Sequence, residues 1–189
     1  MEGLVEIRWH GRGGQGAKTA AQFLAEAALE MGKFIQAFPE YGPERAGAPM
    51  QAYTRISEKP ITIHSGVTSP EIVVVIDPTL IGPEVAEGLG EEGIVVVNTT
   101  QSPDEIRKKL DFAKGKVATV DATRISLDTL GIPMPNTPML GALLKVVSLV
   151  PLEGLEERIK AKFLKKLGQE KTKANIDAVK RAYEEVKIG

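Results

Sequence analysis

The sequence of 189 residues contains no cysteine and only two histidines, His10 and His64. The absence of cysteine excludes disulfide bonds, iron–sulfur clusters held by thiolates, cysteine zinc sites and a cysteine nucleophile. The two histidines are far apart in the chain, which argues against a histidine-rich metal site, and we predict no metal site. The length is sufficient for a sizeable core. We therefore expect a single domain over residues 1–189 that needs no covalent staple.

Neither sign of charge predominates, and no hydrophobic segment is long. The 24 basic and 25 acidic side chains leave a formal net charge of -1, which argues against a protein that binds nucleic acid through bulk charge. No apolar run approaches the ~18 residues of a membrane span, and the first residues lack a basic region followed by an apolar stretch. Apolar residues make up 42% of the chain. We expect a folded, cytoplasmic protein that binds neither membranes nor nucleic acid.

A glycine-rich segment follows the first predicted strand. Residues 4–9 are mostly β-branched, aromatic or aliphatic and predict a strand, and apolar residues at helical spacing predict a helix over residues 17–31. Between them, Gly11, Gly13 and Gly16 satisfy the pattern G-x-G-x-x-G. Backbone N–H groups and the helix dipole favour an anion at such a position. A tight turn between strand and helix would by itself explain two of these glycines, and both interpretations stay open here.

Two classes of nucleotide-binding protein share parts of this pattern. A nicotinamide-dependent enzyme requires an acidic residue at the end of the second strand, and Glu40, which lies in a proline-rich segment, is a poor candidate. A P-loop requires glycine directly before lysine, but Ala17 separates Gly16 from Lys18. One inserted residue turns the lysine by roughly 100° about the helix, away from the phosphates. An NAD-binding enzyme is therefore the weaker alternative, and a nucleotide triphosphatase is weaker still.

Unbroken β-branched segments predict the rest of the sheet. Three such segments are residues 72–76, 94–97 and 117–120. Strands of this composition are covered on both faces, as in a parallel sheet flanked by helices. Residues 34–38 predict another strand, the punctuated residues 39–49 predict a surface loop, and the alternation over 50–56 predicts a half-exposed antiparallel strand. We expect an α/β fold with a doubly wound, mostly parallel sheet and helices on both faces.

The segment 136–189 is predicted to be helical and to belong to the same domain. Its apolar residues form three stripes at helical spacing, which we expect to pack on the chain's own sheet. A docking surface for a partner chain is the alternative.

Polar residues follow three of the predicted strands, at the edge where parallel sheets bind ligands. They are Asp77, Asn98 and Asp121. All three could instead end strands and cap helices, and for Asp77 and Asp121 we expect this role rather than contact with a ligand.

Three motifs in order give the sequence a resemblance to a known family. They are HGRGGQG at residues 10–16, YGPERAGAP at 41–49 and NTPMLGA at 136–142. Together they resemble the gamma subunits of the 2-oxoacid:ferredoxin oxidoreductases over nearly the whole chain. In that family the second motif is often YGPE-x-RGG, whereas residues 44–47 here are ERAG, a form that resembles the pyruvate branch. Gamma subunits for 2-ketoisovalerate or 2-oxoglutarate remain alternatives.

The resemblance implies a complex that converts pyruvate, coenzyme A (CoA) and oxidised ferredoxin into acetyl-CoA, CO2 and reduced ferredoxin. Thiamine diphosphate and the [4Fe-4S] clusters then belong to alpha, beta and delta partner subunits, because this chain has no cysteine and no thiamine-type motif. The resemblance also implies that this chain carries no catalytic residue of its own and is inactive alone. Its expected share is scaffolding and contacts to CoA. The candidate CoA-binding residues are Gly11, Arg12, Gly13, Gly14, Gln15, Gly16 and Arg45.

Overall fold

The computed structural model describes residues 3–41 and 47–189, and these residues form one sheet flanked by helices. The strands are β1 (Leu4–Arg12), β2 (Phe34–Tyr41), β3 (Pro49–Ser57), β4 (Ile72–Val75), β5 (Ile94–Asn98), β6 (Lys116–Val120) and β7 (Lys187–Ile188). The helices are α1 (Ala17–Glu30), α2 (Pro103–Lys109), α3 (Ala122–Leu130), α4 (Asn136–Val146) and α5 (Leu152–Glu185). Two short 3-10 helices, Pro78–Leu80 and Pro83–Ala86, follow β4.

The strand order across the sheet is β2-β3-β1-β4-β5-β6-β7. Strand β1 pairs in parallel with β4, β4 with β5, and β5 with β6. Strand β3 runs antiparallel to both β1 and β2, and β7 runs antiparallel to β6. Strands β1, β2, β4, β5 and β6 therefore point in one direction. The predicted mostly parallel α/β sheet is confirmed, and so is the antiparallel direction of β3.

Apolar residues of the central strands are buried on both faces of the sheet. Successive side chains of a strand point to opposite faces, so a run of valines supplies two cores at once. On one face, Trp9 and Val74 join the core formed with α1, α4 and α5. On the other face, Val75 packs with Ile106 and Leu110 of the α2 region. This two-sided burial explains why these segments are uniformly apolar and confirms helices on both faces.

The prediction of a surface loop over residues 39–49 is wrong at both of its ends. Strand β2 continues through Pro39 to Tyr41, and β3 already begins at Pro49. Proline is tolerated in β2 because β2 is an edge strand, where one side of the backbone needs no ladder hydrogen bond. Residues 42–46 lie outside the described part of the chain.

The prediction that β3 is half-exposed is also wrong. The face that carries its polar residues is covered by the segment after β3, and Arg55 is only 1% exposed. Its guanidinium donates to the carbonyl oxygen of Ser65 at 2.8 Å and pairs with the Glu6 carboxylate at 2.7 Å. Tyr53 on the same face is buried as well. The alternation of polar and apolar residues along β3 predicted that this face is exposed to water, but the segment after β3 covers it.

The C-terminal apolar stripes pack on the chain's own core, as predicted. Leu143 of α4 and both Leu155 and Val179 of α5 are buried there. The long α5 has a kink at Gly168, where φ is 79° and ψ is 174°, and Leu167 beside the kink is exposed. Within residues 3–41 and 47–189, no helix combines the length and apolar character needed to cross a membrane.

The last residues form a strand that the sequence pattern did not predict. Strand β7 pairs with β6, and the backbones of Val117 and Gly189 exchange two hydrogen bonds of 2.9 and 3.0 Å. Arg107 of α2 donates to the carbonyl oxygen of Gly189 at 3.0 Å. A strand of two residues is too short to show an alternation of polar and apolar side chains, so its conformation is determined by pairing with β6.

Candidate functional site

The glycine-rich loop connects β1 directly to α1 at the carboxyl edge of the sheet. Gly14 has a φ of 97° and Gly16 a φ of 82°, a region of backbone conformation that L side chains rarely adopt. At Gly11 the constraint is space, because a Cβ added there would lie 3.2 Å from the Cβ of Ala17, a tight contact. The N–H of Gly13 donates to the carbonyl oxygen of Ala48 at 3.1 Å, which joins the loop to the chain just before β3.

Arg12 and Gln15 hold the loop in shape through Asp77, which follows β4. The Gln15 side chain accepts a hydrogen bond from the backbone N–H of Arg12 at 2.7 Å and donates to the Asp77 carboxylate. Arg12 donates to the hydroxyl of Thr79 at 2.9 Å, and its Nε lies 3.5 Å from Oδ2 of Asp77. Gln15 is thus occupied within the loop, and part of the positive charge of Arg12 is balanced by Asp77.

Asp77 is ionised in this arrangement. Burial by itself raises the pKa of a carboxyl group, but hydrogen bonds from Thr79 and Gln15 and the charge of Arg12 outweigh it and lower the pKa of Asp77. Asp77 also accepts from the backbone N–H of Thr79 at 2.8 Å and so caps the short 3-10 helix that follows. The expectation that Asp77 caps a helix is confirmed.

The other strand-ending residues have structural roles as well. Asp121 caps α3 by accepting from the N–H of Arg124 at 3.0 Å. Asn98 is buried and donates to the carbonyl oxygen of Ile76 and to the hydroxyl of Thr123, both at 2.8 Å. These contacts fix the ends of three neighbouring strands, which gives the glycine-rich loop a rigid edge to rest on.

Asn136, the first residue of α4, packs against the last glycine of the loop. A Cβ added to Gly16 would lie 2.6 Å from Nδ2 of Asn136, so no larger residue fits there without displacing the amide. Asn136 is 5% exposed, and its Oδ1 has no hydrogen-bond partner among the described residues. The sequence pattern marked Asn136 only as part of a motif, because contact between residues 16 and 136 depends on the tertiary fold.

The N-terminus of α1 is suited to an anion. Its first turn contains no acidic residue, and no side chain caps it among the described residues. The first N–H groups of a helix have no partner within the helix, and they carry the positive end of the helix dipole. Six of the seven predicted site residues lie along this connection: Gly11 and Arg12 end β1, and Gly13, Gly14, Gln15 and Gly16 lead from it into α1. The seventh, Arg45, lies outside the described residues.

A cavity of about 1170 Å³ lies on the polar face of β1 and β3. Arg8 and His10 of β1 and Gln51 and Tyr53 of β3 are among the residues that line it. Sequence reasoning missed this cavity. The available signal was the alternation of Glu6, Arg8, His10 and Arg12 along β1, which shows that one face of a central strand is polar.

Arg8 and His10 form a buried pair beneath the cavity. Arg8 is 6% and His10 7% exposed, and Nε of Arg8 donates to Nε2 of His10 at 3.0 Å. Burial, together with the nearby Arg8 charge, lowers the pKa of His10 to about 4. His10 is thus neutral at pH 7 with its proton on Nδ1, because Nε2 accepts a hydrogen bond. Nη2 of Arg8 donates to the carbonyl oxygens of Val85 and Glu87.

Tyr53 and Glu40 form a second polar contact at the cavity. The Tyr53 hydroxyl donates to the Glu40 carboxylate and lies 2.8 Å from Oε1 of Gln51. Burial raises the pKa of Tyr53, and the hydrogen bond and charge of Glu40 raise it further. Tyr53 therefore stays protonated across the physiological range. Glu40, which a nicotinamide enzyme would direct to a ribose, is occupied by this contact.

The fold and the glycine-rich loop together define the class to which this protein belongs. It is an α/β protein whose glycine-rich loop places a helix N-terminus at the carboxyl edge of the sheet, where open sheets of this kind bind ligands. The profile of the pyruvate ferredoxin/flavodoxin oxidoreductase family matches residues 6–185. The chain belongs to this family.

Individual relatives cover almost the whole chain. The pyruvate synthase subunit PorC of Thermotoga maritima is 57% identical over 182 residues, which are 96% of this chain and 94% of the relative. The pyruvate/ketoisovalerate oxidoreductases common subunit gamma of Pyrococcus abyssi is 50% identical over 186 residues, 98% of each chain. The crystal structure of the pyruvate oxidoreductase subunit PORC from Thermotoga maritima superposes with a TM-score of 0.90 and 52% identity, covering 100% of this chain and 99% of the other.

Proposed function

We propose that this chain is the gamma subunit of a pyruvate:ferredoxin oxidoreductase. The complex converts pyruvate, CoA and oxidised ferredoxin into acetyl-CoA, CO2 and reduced ferredoxin. The observation that carries the proposal is the 57% identity, over nearly the full length of both chains, to a pyruvate synthase subunit. The same fold with a TM-score of 0.90 supports it.

A second candidate is a gamma subunit shared between two oxidoreductases, one for pyruvate and one for 2-ketoisovalerate. It is favoured by the 50% identity to a relative named as the common subunit of two such enzymes. Tagging this chain in its native host and isolating its complexes distinguishes the two candidates. A single set of partners that reduces ferredoxin with pyruvate supports the first candidate, whereas two separable sets with different 2-oxoacids support the second.

The partners in this proposal are alpha, beta and delta subunits. Thiamine diphosphate supplies decarboxylation, and [4Fe-4S] clusters supply electron transfer, when these groups are bound to the partner subunits. This chain has no cysteine to hold such a cluster by thiolates. Its own contribution is to bind and orient the acyl acceptor and to hold the partners together.

The glycine-rich loop is the proposed contact for CoA. A pyrophosphate accepts hydrogen bonds from backbone N–H groups at a helix N-terminus, and the start of α1 offers such groups without a competing acidic side chain. Gly14 is open, since an added Cβ would meet nothing within 4 Å. Arg12 flanks the loop and remains partly exposed, so it adds positive charge, although Asp77 balances some of it. Arg45 is proposed to add a second charge from the neighbouring motif.

The experiment that tests CoA binding compares a glycine of the loop with a glycine elsewhere that also has a positive φ. Gly14→Ala and Gly131→Ala each place a Cβ in open space at a positive φ, 97° and 71°, but only Gly14 lies in the loop. In the assembled complex we expect Gly14→Ala to raise the KM for CoA about tenfold, which corresponds to about 1.4 kcal/mol. Gly131→Ala should leave this KM unchanged.

The exchange of CO2 with pyruvate, measured without CoA, is the control for correct assembly, because decarboxylation precedes transfer of the acyl group to CoA. The rate of this exchange should be nearly equal in both variants. An unchanged KM for CoA in a correctly assembled Gly14→Ala complex would show that the loop is only a tight turn and that this subunit is a scaffold.

A further inference from the structure

The long helix α5 folds back on itself at Gly168 and forms a helical hairpin. A straight α-helix would hold residues 156 and 180 about 36 Å apart, since each residue advances the helix by ~1.5 Å. Instead, Nζ of Lys180 lies 3.1 Å from the Glu156 carboxylate. Gly168 permits the reversal with its φ of 79° and ψ of 174°, a conformation open mainly to glycine. Residues 152–167 and 169–185 are therefore two antiparallel arms.

The tip of this hairpin, residues 164–171, lies beyond the carboxyl edge of the sheet. The second arm runs parallel to α4, because Val179 packs against Gly141 and the Tyr183 ring centre lies 4.8 Å from Nζ of Lys145. Counted back from these contacts, the tip extends roughly two helical turns further than the first residue of α4. That first residue packs against the glycine-rich loop. The hairpin tip is therefore on the same side of the molecule as this loop.

The hairpin tip and its flanks concentrate positive charge in a chain that is nearly neutral overall. The segment 160–173 contains six lysines and a single acidic residue, whereas the whole chain has a net charge of -1. Within the described residues, two of these lysines have an ion pair, Lys162 with Glu26 at 3.1 Å and Lys173 with Asp177 at 3.4 Å. The four others are exposed and have no carboxylate partner in the described part of the chain: Lys160, Lys165, Lys166 and Lys171.

Two leucines lie among these lysines with much of their surface in water. Leu164 is 44% and Leu167 42% exposed, and their spacing of three residues places them side by side on the first arm. The neighbouring Phe163 is different, because its ring packs edge-on against that of Phe23 at 5.1 Å. Exposed apolar side chains rimmed by polar ones mark an interaction site. The hairpin tip thus has the apolar centre and charged rim of a protein interface.

The charge and the apolar surface together favour an acidic protein surface as the occupant. Opposite charges at a rim steer and orient the encounter, and the leucines add apolar contact at its centre. An interfacial membrane helix uses a broader apolar face with aromatic residues, whereas Phe163 packs on Phe23. Nucleic-acid recognition uses mainly arginine, and segment 160–173 has none.

We propose that the hairpin tip is the docking surface for an acidic and partly apolar surface of another subunit of the complex. The inference rests on the proposed function, since that function supplies the partner subunits, but it stands whether or not the glycine-rich loop binds CoA. The leucines supply the apolar contact, and the lysines pair with carboxylates of the partner. A subunit docked there lies on the side of this chain that carries the loop.

Zero-length cross-linking tests this inference in the assembled complex. A carbodiimide joins a lysine amine to a carboxylate when the two groups are in contact, and mass spectrometry of the cross-linked peptides identifies both residues. We expect Lys165, Lys166 or Lys171 to be joined to an aspartate or glutamate of a partner subunit. Cross-links only to a second copy of this chain would overturn the proposal. So would tip lysines that give no cross-link and are acetylated as readily in the complex as in the free chain.

Two variants separate the contribution of charge from that of apolar contact. Each is assembled with its partner subunits, and the apparent Kd of the complex is measured by dilution and mass photometry. Replacing Lys165, Lys166 and Lys171 together by Gln should raise this Kd about tenfold at low salt, and the difference should shrink at high salt, where ion pairs are screened. Leu164→Ser combined with Leu167→Ser should raise the Kd about tenfold at both salt concentrations. Circular dichroism checks that both variants are folded.

The matched control changes three exposed lysines elsewhere, Lys108, Lys109 and Lys114, to Gln and alters the net charge by the same amount. It should leave the Kd unchanged, and an equal loss in both lysine variants would assign the effect to net charge and overturn the proposal. Binding of the assembled complex to phosphatidylserine vesicles, abolished by the tip lysine variant, would show that the tip faces a lipid surface instead.

Pyruvate-dependent dye reduction separates this inference from the proposed function. If the unmodified chain forms no active complex with its partners, the proposed function is wrong. If an active complex forms and its Kd is insensitive to both tip variants, only the docking surface is wrong.

Discussion

The buried His10 predicts a specific loss of stability in mild acid. Its pKa is lowered from 6.5 to about 4 in the folded chain, because burial and the Arg8 charge oppose protonation. In the unfolded chain the ring takes up a proton below pH 6.5, while the folded chain excludes it until the pH approaches 4. The folded state therefore has its full stability above pH 6.5 and loses it as the pH falls towards 4.

The magnitude follows from the two pKa values. A difference of about 2.5 units corresponds to about 3 kcal/mol in total, of which about 2 kcal/mol is already lost at pH 5. For a chain of this length such a loss lowers the Tm by roughly 4–8 °C. Carboxyl groups with lowered pKa values, such as Asp77 and Glu26, are protonated only at lower pH and contribute little between pH 7 and 5.

The measurement is urea unfolding of the full chain at pH 7 and pH 5. His10→Gln keeps an acceptor for Nε of Arg8 but cannot be protonated, so its loss of stability between these pH values should be about 2 kcal/mol smaller than that of the unmodified chain. His64→Gln, at an exposed position, is the matched control and should behave like the unmodified chain. Equal acid sensitivity of His10→Gln and the unmodified chain would refute the assignment of this loss to His10.

Three further outcomes are expected. Gly141→Ala should reduce the free energy of unfolding in urea by about 3 kcal/mol, because its Cβ would lie 2.0 Å from the carbonyl oxygen of Val179 and force α4 away from α5. Gly154→Ala, a helical position with nothing within 4 Å, should instead stabilise by about 0.5–1 kcal/mol, and a similar loss in both variants would contradict the packing argument. Glu6→Gln should cost about 3 kcal/mol by the same measurement, because it leaves the buried Arg55 without its carboxylate; a change below about 0.5 kcal/mol would show that this pair is not needed. The purified chain should show no visible absorption band and no pyruvate-dependent dye reduction without partner subunits, and either signal would contradict the assignment of the clusters to other chains.

Features that depend on neighbours in the chain could be predicted from the sequence. The valine-rich strands β4, β5 and β6, the glycine-rich turn into α1 and the caps at Asp77 and Asp121 all follow from local composition and spacing. The absence of cysteine likewise excludes, from the sequence alone, disulfide bonds and iron–sulfur clusters held by thiolates of this chain. Such properties belong to short segments, and their physical causes act within a few residues.

Features that require distant segments to meet were decided only by the tertiary structure. The segment after β3 buries Arg55, the edge of β6 orders the last residues as β7, and Asn136 meets Gly16 although the two are 120 positions apart in the chain. The cavity above Arg8 and His10 arises in the same way. Its lining comes from β1, β2, β3 and the segments after β3 and β4. Polar alternation along β1 marks these side chains as belonging to one face. Whether that face meets water, protein or a closed cavity depends on how the rest of the chain returns to it.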